Sequence, residues 1–464
     1  MLRRAAVVLV VMGTAMAPAA AHAVDPPSIP PGPPPAGPVA PLGPTEQRAA
    51  CAVGALLPGS RPDLAPAAEQ MLDYRGAWRF ARGAGQKVAV IDTGVTAQPR
   101  LRVEPGGDYV ADTDGLVDCD GHGTLIAGLI AASPAPGDAF AGVAPDAVIL
   151  SIRQGSAAYT VPGGGATPTD PSATSAGYGN TLTAALAVTR AVDLGATVIA
   201  VTQPACAPVG SNLADGALAQ AVRYAFERDV VVVAAAGNVG SQGYCSAQNE
   251  VRDPNRPLVD AWRSVRTVSS PAWFADYVLT VAAVAPDGAP STFSLRGPWV
   301  DVAAPGERLT SLSSSGAGLV TGFTDPQGNQ FPLNGTDLAA ALVSGVVALV
   351  RSRFPDMSAA EVMDRIERTA RTPGAGPDPI TGYGIIDPLA ALSFQVPDRD
   401  QMPSPTTART LAAPPGPSAG DHRARDIMLA MIGTSLALSA AALAVSTRQR
   451  TRASNGRTTG TEGV

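Results

Sequence analysis

Basic side chains are sparse and almost all of one kind. Lys87 is the only lysine in 464 residues, and 33 Lys plus Arg against 39 Asp plus Glu leave a formal net charge of -6. That balance provides no basic stripe of the kind a phosphate backbone requires, which excludes nucleic acid as a partner. The preference for arginine reads as genomic base composition and carries no functional message. Histidine is nearly as rare: His22 and His422 fall in terminal segments, so His122 is the only one in the part of the chain able to fold. Neither a metal site nor a cofactor is expected. Four cysteines are few, but their number is even. What the chain has in quantity is apolar residues (45%), 44 prolines and 49 glycines, which implies one large core with long irregular segments attached.

Long apolar runs occur at the two ends. Arg3 and Arg4 precede a run over residues 5–17, and Ala21-His22-Ala23 places small residues where a signal peptidase reads. Residues 1–23 are therefore expected to be a signal peptide and the mature chain to be exported. A second run, residues 427–445, has about the length that crosses a bilayer as a helix. Its Ala and Ser make the drive to insert modest, yet its Arg/Pro/Thr-rich flanks offer no domain to bury it. A transmembrane helix is expected. Arg448, Arg450, Arg452 and Arg457 follow it while Arg423 and Arg425 precede it, which puts the tail, 446–464, in the cytoplasm and the folded domain outside. The expected location is thus the cytoplasmic membrane, crossed once.

Between the ends the chain divides into an N-terminal arm (24–66), a domain (67–396) and a Pro/Thr/Ser-rich linker (397–426). Proline-rich residues 26–44 predict an extended, unpacked arm. Residues 155–179 form a Gly/Pro/Ser/Thr loop too long for a tight connection, hence mobile or functional. Residues 242–268 read as a polar excursion. Strand patterns at 87–91, 148–152, 197–201, 230–234 and 277–281 alternate with helical patterns at 122–132, 178–194, 213–228 and 336–353. Continuous apolar strands interleaved with helices predict an α/β fold whose parallel sheet lies between helices. Sites in such folds lie at the carboxyl ends of the strands, where Asp92 and Asn238 fall.

The chemistry follows from four motifs. Val88-Ala89-Val90-Ile91-Asp92-Thr93-Gly94 reads as a buried strand ending in a carboxylate, and Asp120-Gly121-His122-Gly123-Thr124 as a helix starting with histidine. Ala234-Ala235-Ala236-Gly237-Asn238 supplies a strand-end amide, and Asn334-Gly335-Thr336-Asp337 opens a small-residue helix. Asp, His, Asn and then a nucleophile is the subtilisin order: the Asp orients the His, the His takes the nucleophile's proton and the Asn stabilises the oxyanion. Here Asp337 holds the nucleophile position. A carboxylate has no proton to give at pH 7 and is a weak nucleophile toward an amide. His122 between two carboxylates is expected to have a raised pKa.

Export favours disulfides. Of three possible connectivities the preferred one is Cys51–Cys119 with Cys206–Cys245, because Cys206 and Cys245 follow successive strand ends and Cys119 lies just before His122. The first bridge would pin the arm near the site. Free buried thiols are the alternative.

Taken in order, these motifs, with Ser151-Ile152-Arg153-Gln154, Val343-Ser344-Gly345-Val346 and Gly382-Tyr383-Gly384-Ile385-Ile386-Asp387-Pro388, resemble a mycosin over residues 45–445. Mycosins are the membrane-anchored subtilases associated with type VII secretion systems. The resemblance implies a subtilisin-like three-layer fold and a place beside a type VII secretion membrane complex. Two departures matter. The family carries Gly-Thr-Ser, an aromatic residue, two small residues and Pro, where this chain has Gly335-Thr336-Asp337-Leu338-Ala339-Ala340-Ala341. Val198-Ile199-Ala200-Val201-Thr202-Gln203-Pro204 lacks the family's Asn and Ser, and Pro204 has no N–H for a bound peptide. A catalytically degenerate structural or peptide-binding component of the secretion complex is the favoured function. The alternatives are an active serine endopeptidase that processes exported proteins, using Ser291, Ser294 or Ser344 as nucleophile, and a receptor module unrelated to secretion.

Overall fold

A computed structural model describes residues 24–164, 170–240, 245–251, 258, 261–316, 318–324, 328–374, 376–397 and 423–455. Five apolar runs and two edge segments form a seven-stranded sheet of β1 Lys87–Asp92, β2 Val103–Asp108, β3 Val148–Arg153, β4 Val198–Val201, β5 Val231–Ala235, β6 Val278–Val284 and β7 Val302–Pro305. The spatial order is β7-β6-β5-β4-β1-β3-β2, and every pairing is parallel.

Parallel strands expose neither face, so both are apolar and both are covered. Val88 and Val90 of β1 join a core with helices α1 (His122–Ala131) and α4 (Thr336–Arg353). The alternate residues Ala89 and Ile91 face the other way, into a core with α2 (Thr181–Asp193) and α3 (Gly216–Glu227). This is the three-layer subtilisin-like arrangement. From β1 the chain builds β2 and β3 to one side and β4 to β7 to the other, so the crevice between the carboxyl ends of β1 and β4 is the topological switch point.

Several segments differ from their sequence reading. Both edge strands escape it: β2 contains Pro105, Gly106 and Gly107 with a register shift, and β7 is four residues ending in Pro305. Such residues weaken a strand signal and are tolerated at edges. A further helix, α5 (Ala359–Thr369), starts in a capping box in which Ser358 and Glu361 satisfy each other's backbone N–H groups.

The expectation of an unpacked arm over residues 26–44 is incorrect. Ile29 is buried in the α2/α3 core, Gln220 Nε2 donates to the Pro30 carbonyl at 2.6 Å, and Arg223 Nη1 donates to the Ile29 carbonyl at 3.4 Å. An extended proline-rich backbone leaves its carbonyls unpaired; donors on α3 satisfy two of them.

The described part of 155–179 is packed: Ser156, Ala158, Ser172, Thr174 and Ser175 are buried, and Tyr159–Thr160 pairs with Glu46–Gln47 of the arm. Within 242–268, buried Asn249 donates to the carbonyls of Thr267 and Arg296 and accepts from the N–H groups of Arg266 and Thr267. Disulfides join Cys51 to Cys119 and Cys206 to Cys245. Residues 397–464 form a separate unit containing helix α6 (Arg423–Asn455), of which Arg425–Arg450 is long and apolar enough to cross a membrane, with mean hydropathy 2.0. The segments 1–23, 398–422 and 456–464 lie outside the described residues.

Small residues let α4 lie against its neighbours. A Cβ on Gly345 would fall 2.5 Å from Val143 Cβ, closer than any real contact allows. Gly345→Val is therefore expected to destabilise the domain by about 1–3 kcal/mol through overpacking, read as a lower urea midpoint at constant m-value. An unchanged midpoint would show that α4 is not pressed onto Val143.

Candidate active site

Asp92 ends β1, His122 starts α1 and Asp337 lies in the first turn of α4, so three separate elements converge on the switch point. His122 enters the crevice because its neighbour has no side chain: a Cβ on Gly123 would fall 2.0 Å from the Gly94 carbonyl oxygen. The imidazole Nδ1 lies 2.8 and 2.9 Å from the two oxygens of Asp92, and Nε2 lies 2.6 Å from Asp337 Oδ2. A neutral imidazole has one N–H and would present a lone pair to one of these carboxylates. The imidazolium donates to both.

The electrostatics follow from that geometry. Burial is the largest influence on His122 and disfavours its charge, yet the charge of Asp92, the hydrogen bonds the ring donates to both carboxylates and the charge of Asp337 together hold its pKa well above 6.5. Asp92 is fully buried, which by itself would raise its pKa; His122, the Thr202 hydroxyl and the Thr93 N–H reverse the direction and hold it below the usual carboxylate range.

Asn238 is fixed from the side. Its Oδ1 accepts from the N–H and the hydroxyl of Thr336 at 3.0 and 2.9 Å, which leaves the Nδ2 group as the donor available to the cleft. Residues 92, 122, 238 and 337 thus share one cleft of about 620 Å³ or lie at its floor. Cys206 and Cys245 also line it, whereas Cys51 and Cys119 tie the arm beside it: the Ala52 N–H donates to the Cys119 carbonyl, and Ala52 is part of the lining. The alternative nucleophiles do not join the site. Ser291, Ser294 and Ser344 are all buried, with Ser294 Oγ accepting from Ala283 N–H and Ser344 Oγ donating to the Ala340 carbonyl.

Supporting residues that the motif reading did not assign complete the frame. Asp118 accepts from the Thr93 hydroxyl, the Gly121 N–H, and both the N–H and the hydroxyl of Thr124. It thereby caps the helix that carries His122, whose own N-cap position is Gly121, and burial pushes its pKa up to about 6 despite those donors. Asp120 grips the 155–179 loop through the Ser156 hydroxyl and the N–H groups of Ala157 and Ala158. Thr202 donates to Asp92 from the segment whose departure from the mycosin pattern was noted, and Pro204 of that segment lines the cleft. Asp and Thr around a Gly-His-Gly are a weak sequence signal, since their partners are set by tertiary approach.

As chemistry, the arrangement holds a proton firmly. On the Nε2 side, where a subtilase histidine would meet the hydroxyl of its nucleophile, His122 meets the Asp337 carboxylate instead. An NMR titration is expected to place the His122 pKa above about 6.5 in the native chain and distinctly lower in Asp337→Asn. Equal values in the two proteins would show that Asp337 does not share the imidazolium.

A model of the subtilase family matches residues 83–384. Mycosin-1 of Mycobacterium tuberculosis strain H37Rv is 44% identical over 432 residues, which cover 91% of this chain and 94% of the relative. The crystal structure of MycP1 from Mycobacterium smegmatis superposes with TM-score 0.75 at 42% identity, covering 84% of this chain and 100% of that one. A chain of an intact ESX-5 inner membrane complex gives TM-score 0.75 at 40% identity, over 91% of this chain and 100% of its own length. With the fold, the order of the site residues and these matches in agreement, the chain belongs to the mycosins of the subtilase family.

Proposed function

We propose that this mycosin no longer cleaves peptides and serves instead as a structural or peptide-binding component of a type VII secretion membrane complex. The observation that carries this reading is Asp337 at the nucleophile position with its carboxylate bonded to His122 Nε2. Acyl transfer to a carboxylate would form a mixed anhydride, uphill from a peptide, and loss of the nucleophile in a subtilisin-type triad costs about a millionfold in kcat. Membership in a complex is supported by related chains found in the intact ESX-5 inner membrane complex and in its periplasmic assembly. The proposed order is signal peptide (1–23), arm (24–66), subtilisin-like domain (67–396), linker (397–426), transmembrane helix (427–445) and cytoplasmic tail (446–464), with the domain on the extracytoplasmic side of the cytoplasmic membrane. The apolar segment Arg425–Arg450 and the arginines after it support that topology.

Two measurements test the reading. The purified chain is expected to show no labelling by a fluorophosphonate reagent and no peptide cleavage, since among the described residues both ring nitrogens of His122 meet carboxylates and not a hydroxyl; stoichiometric labelling of any serine contradicts it. In spheroplasts, added protease is expected to digest the domain and spare the tail. Protection of the domain with loss of the tail would reverse the topology.

A further inference from the structure

The cleft changes character, not only activity, when its nucleophile becomes an acid. A working subtilase presents a hydroxyl, a neutral dipole, to the carbonyl of a bound peptide. Here the same place holds a carboxylate whose side chain is 15% exposed. A peptide carbonyl oxygen is electron-rich and is repelled by it, whereas an N–H or ammonium group is attracted.

The charge inventory of the lining points the same way. Among the described residues its ionisable side chains are Asp120, His122 and Asp337, with buried Asp92 directly behind the histidine. With the histidine protonated the four groups sum to -2. Among the described residues neither lysine nor arginine appears in the lining; Arg308 reaches it through a backbone N–H bonded to Asn334 Oδ1. Pro204 has no N–H, and two acceptors, Asp337 Oδ1 and Gln203 Oε1, are buried without any hydrogen-bond partner. Unpaired buried acceptors are costly, and a donor brought into the cleft would relieve them after a small turn of either side chain. The volume, about 620 Å³, is ample for an extended segment with one long side chain.

We propose that the cleft is a receptor for a cationic group of a peptide, a basic side chain or a terminal ammonium, seated against Asp337. This inference rests on the peptide-binding reading above and names its ligand class. The substitution that ends acyl chemistry thereby converts a carbonyl-binding site into an amine-binding one.

The test uses the full chain in lipid nanodiscs and fluorescently tagged pentapeptides followed by anisotropy. The peptides are an N-acetylated, C-amidated alanine peptide carrying lysine, norleucine or glutamate at its centre, and the norleucine peptide with a free N-terminal amine. The acetylated lysine peptide, the free-amine peptide or both are expected to bind about tenfold more tightly than acetylated norleucine, with glutamate weakest; which of the two gains identifies the source of the cation. In Asp337→Asn and Asp337→Ser the preference for the cationic peptide over norleucine is expected to shrink to within about twofold. Equal affinities in the wild-type chain overturn the inference and leave peptide binding standing, as does a preference that survives both variants. Failure of all four peptides to bind removes the peptide-binding reading itself. The wild-type comparison decides on its own if the variants do not fold.

Discussion

An imidazole held between two carboxylates is the constraint around which the carboxyl edge of the sheet is organised. Asp92 can remain ionised at the end of a fully buried strand because His122, Thr93 and Thr202 all donate to it. His122 can remain charged in a crevice because Asp92 and Asp337 together outweigh its desolvation. Each member is costly alone, and removing one leaves an uncompensated charge in a region of low dielectric. The surrounding bonds then have a clear purpose: Asp118 fixes the start of α1, and Thr336 ties the start of α4 to the end of β5 through Asn238 and the Gly237 N–H.

The same substitution acts at two levels. At the chemical level Asp337 puts a carboxylate where a subtilase presents a serine hydroxyl to its histidine, which is the ground for the proposed loss of cleavage. At the level of stability it supplies a partner to the imidazole nitrogen that a serine hydroxyl would bind more weakly, since a hydrogen bond between two charged groups is stronger than one between a charged and a neutral group. A catalytic subtilase needs its histidine neutral and poised near ambient pH. In the proposed non-catalytic role that requirement lapses and the tighter pair is permitted.

How much of this was legible in the sequence depended on the range of the interactions involved. β1, β3, β4, β5 and β6 could be read because a strand buried on both faces is apolar at every position, a purely local signature. β2 and β7 could not, since edge strands tolerate Pro105, Gly106, Gly107 and Pro305. Asp92, His122, Asn238 and Asp337 were visible as motif positions in a known order. Their distances were not, and neither were the roles of Asp118 and Thr202, whose value lies in partners brought from other elements. The arm was misread for the same reason: proline content forecast an extended backbone, but Ile29 and the donors Gln220 and Arg223 that dock it are recognisable as partners only once α3 is in place. The capping box of α5 was available in Ser358 and Glu361 and went unused.

If Asp337 stabilises the fold through a charged His122, the pH dependence of stability shows it most directly. A histidine whose folded pKa is raised contributes stability that is fully present below its unfolded value of about 6.5 and is lost as pH rises through the folded pKa. Urea unfolding of the wild-type chain and of Asp337→Asn, measured across pH, is expected to show a wild-type advantage that is largest between the carboxylate range and about pH 6.5 and declines at alkaline pH as the imidazolium deprotonates. A difference that is independent of pH, or an asparagine variant that is the more stable throughout, would contradict the account.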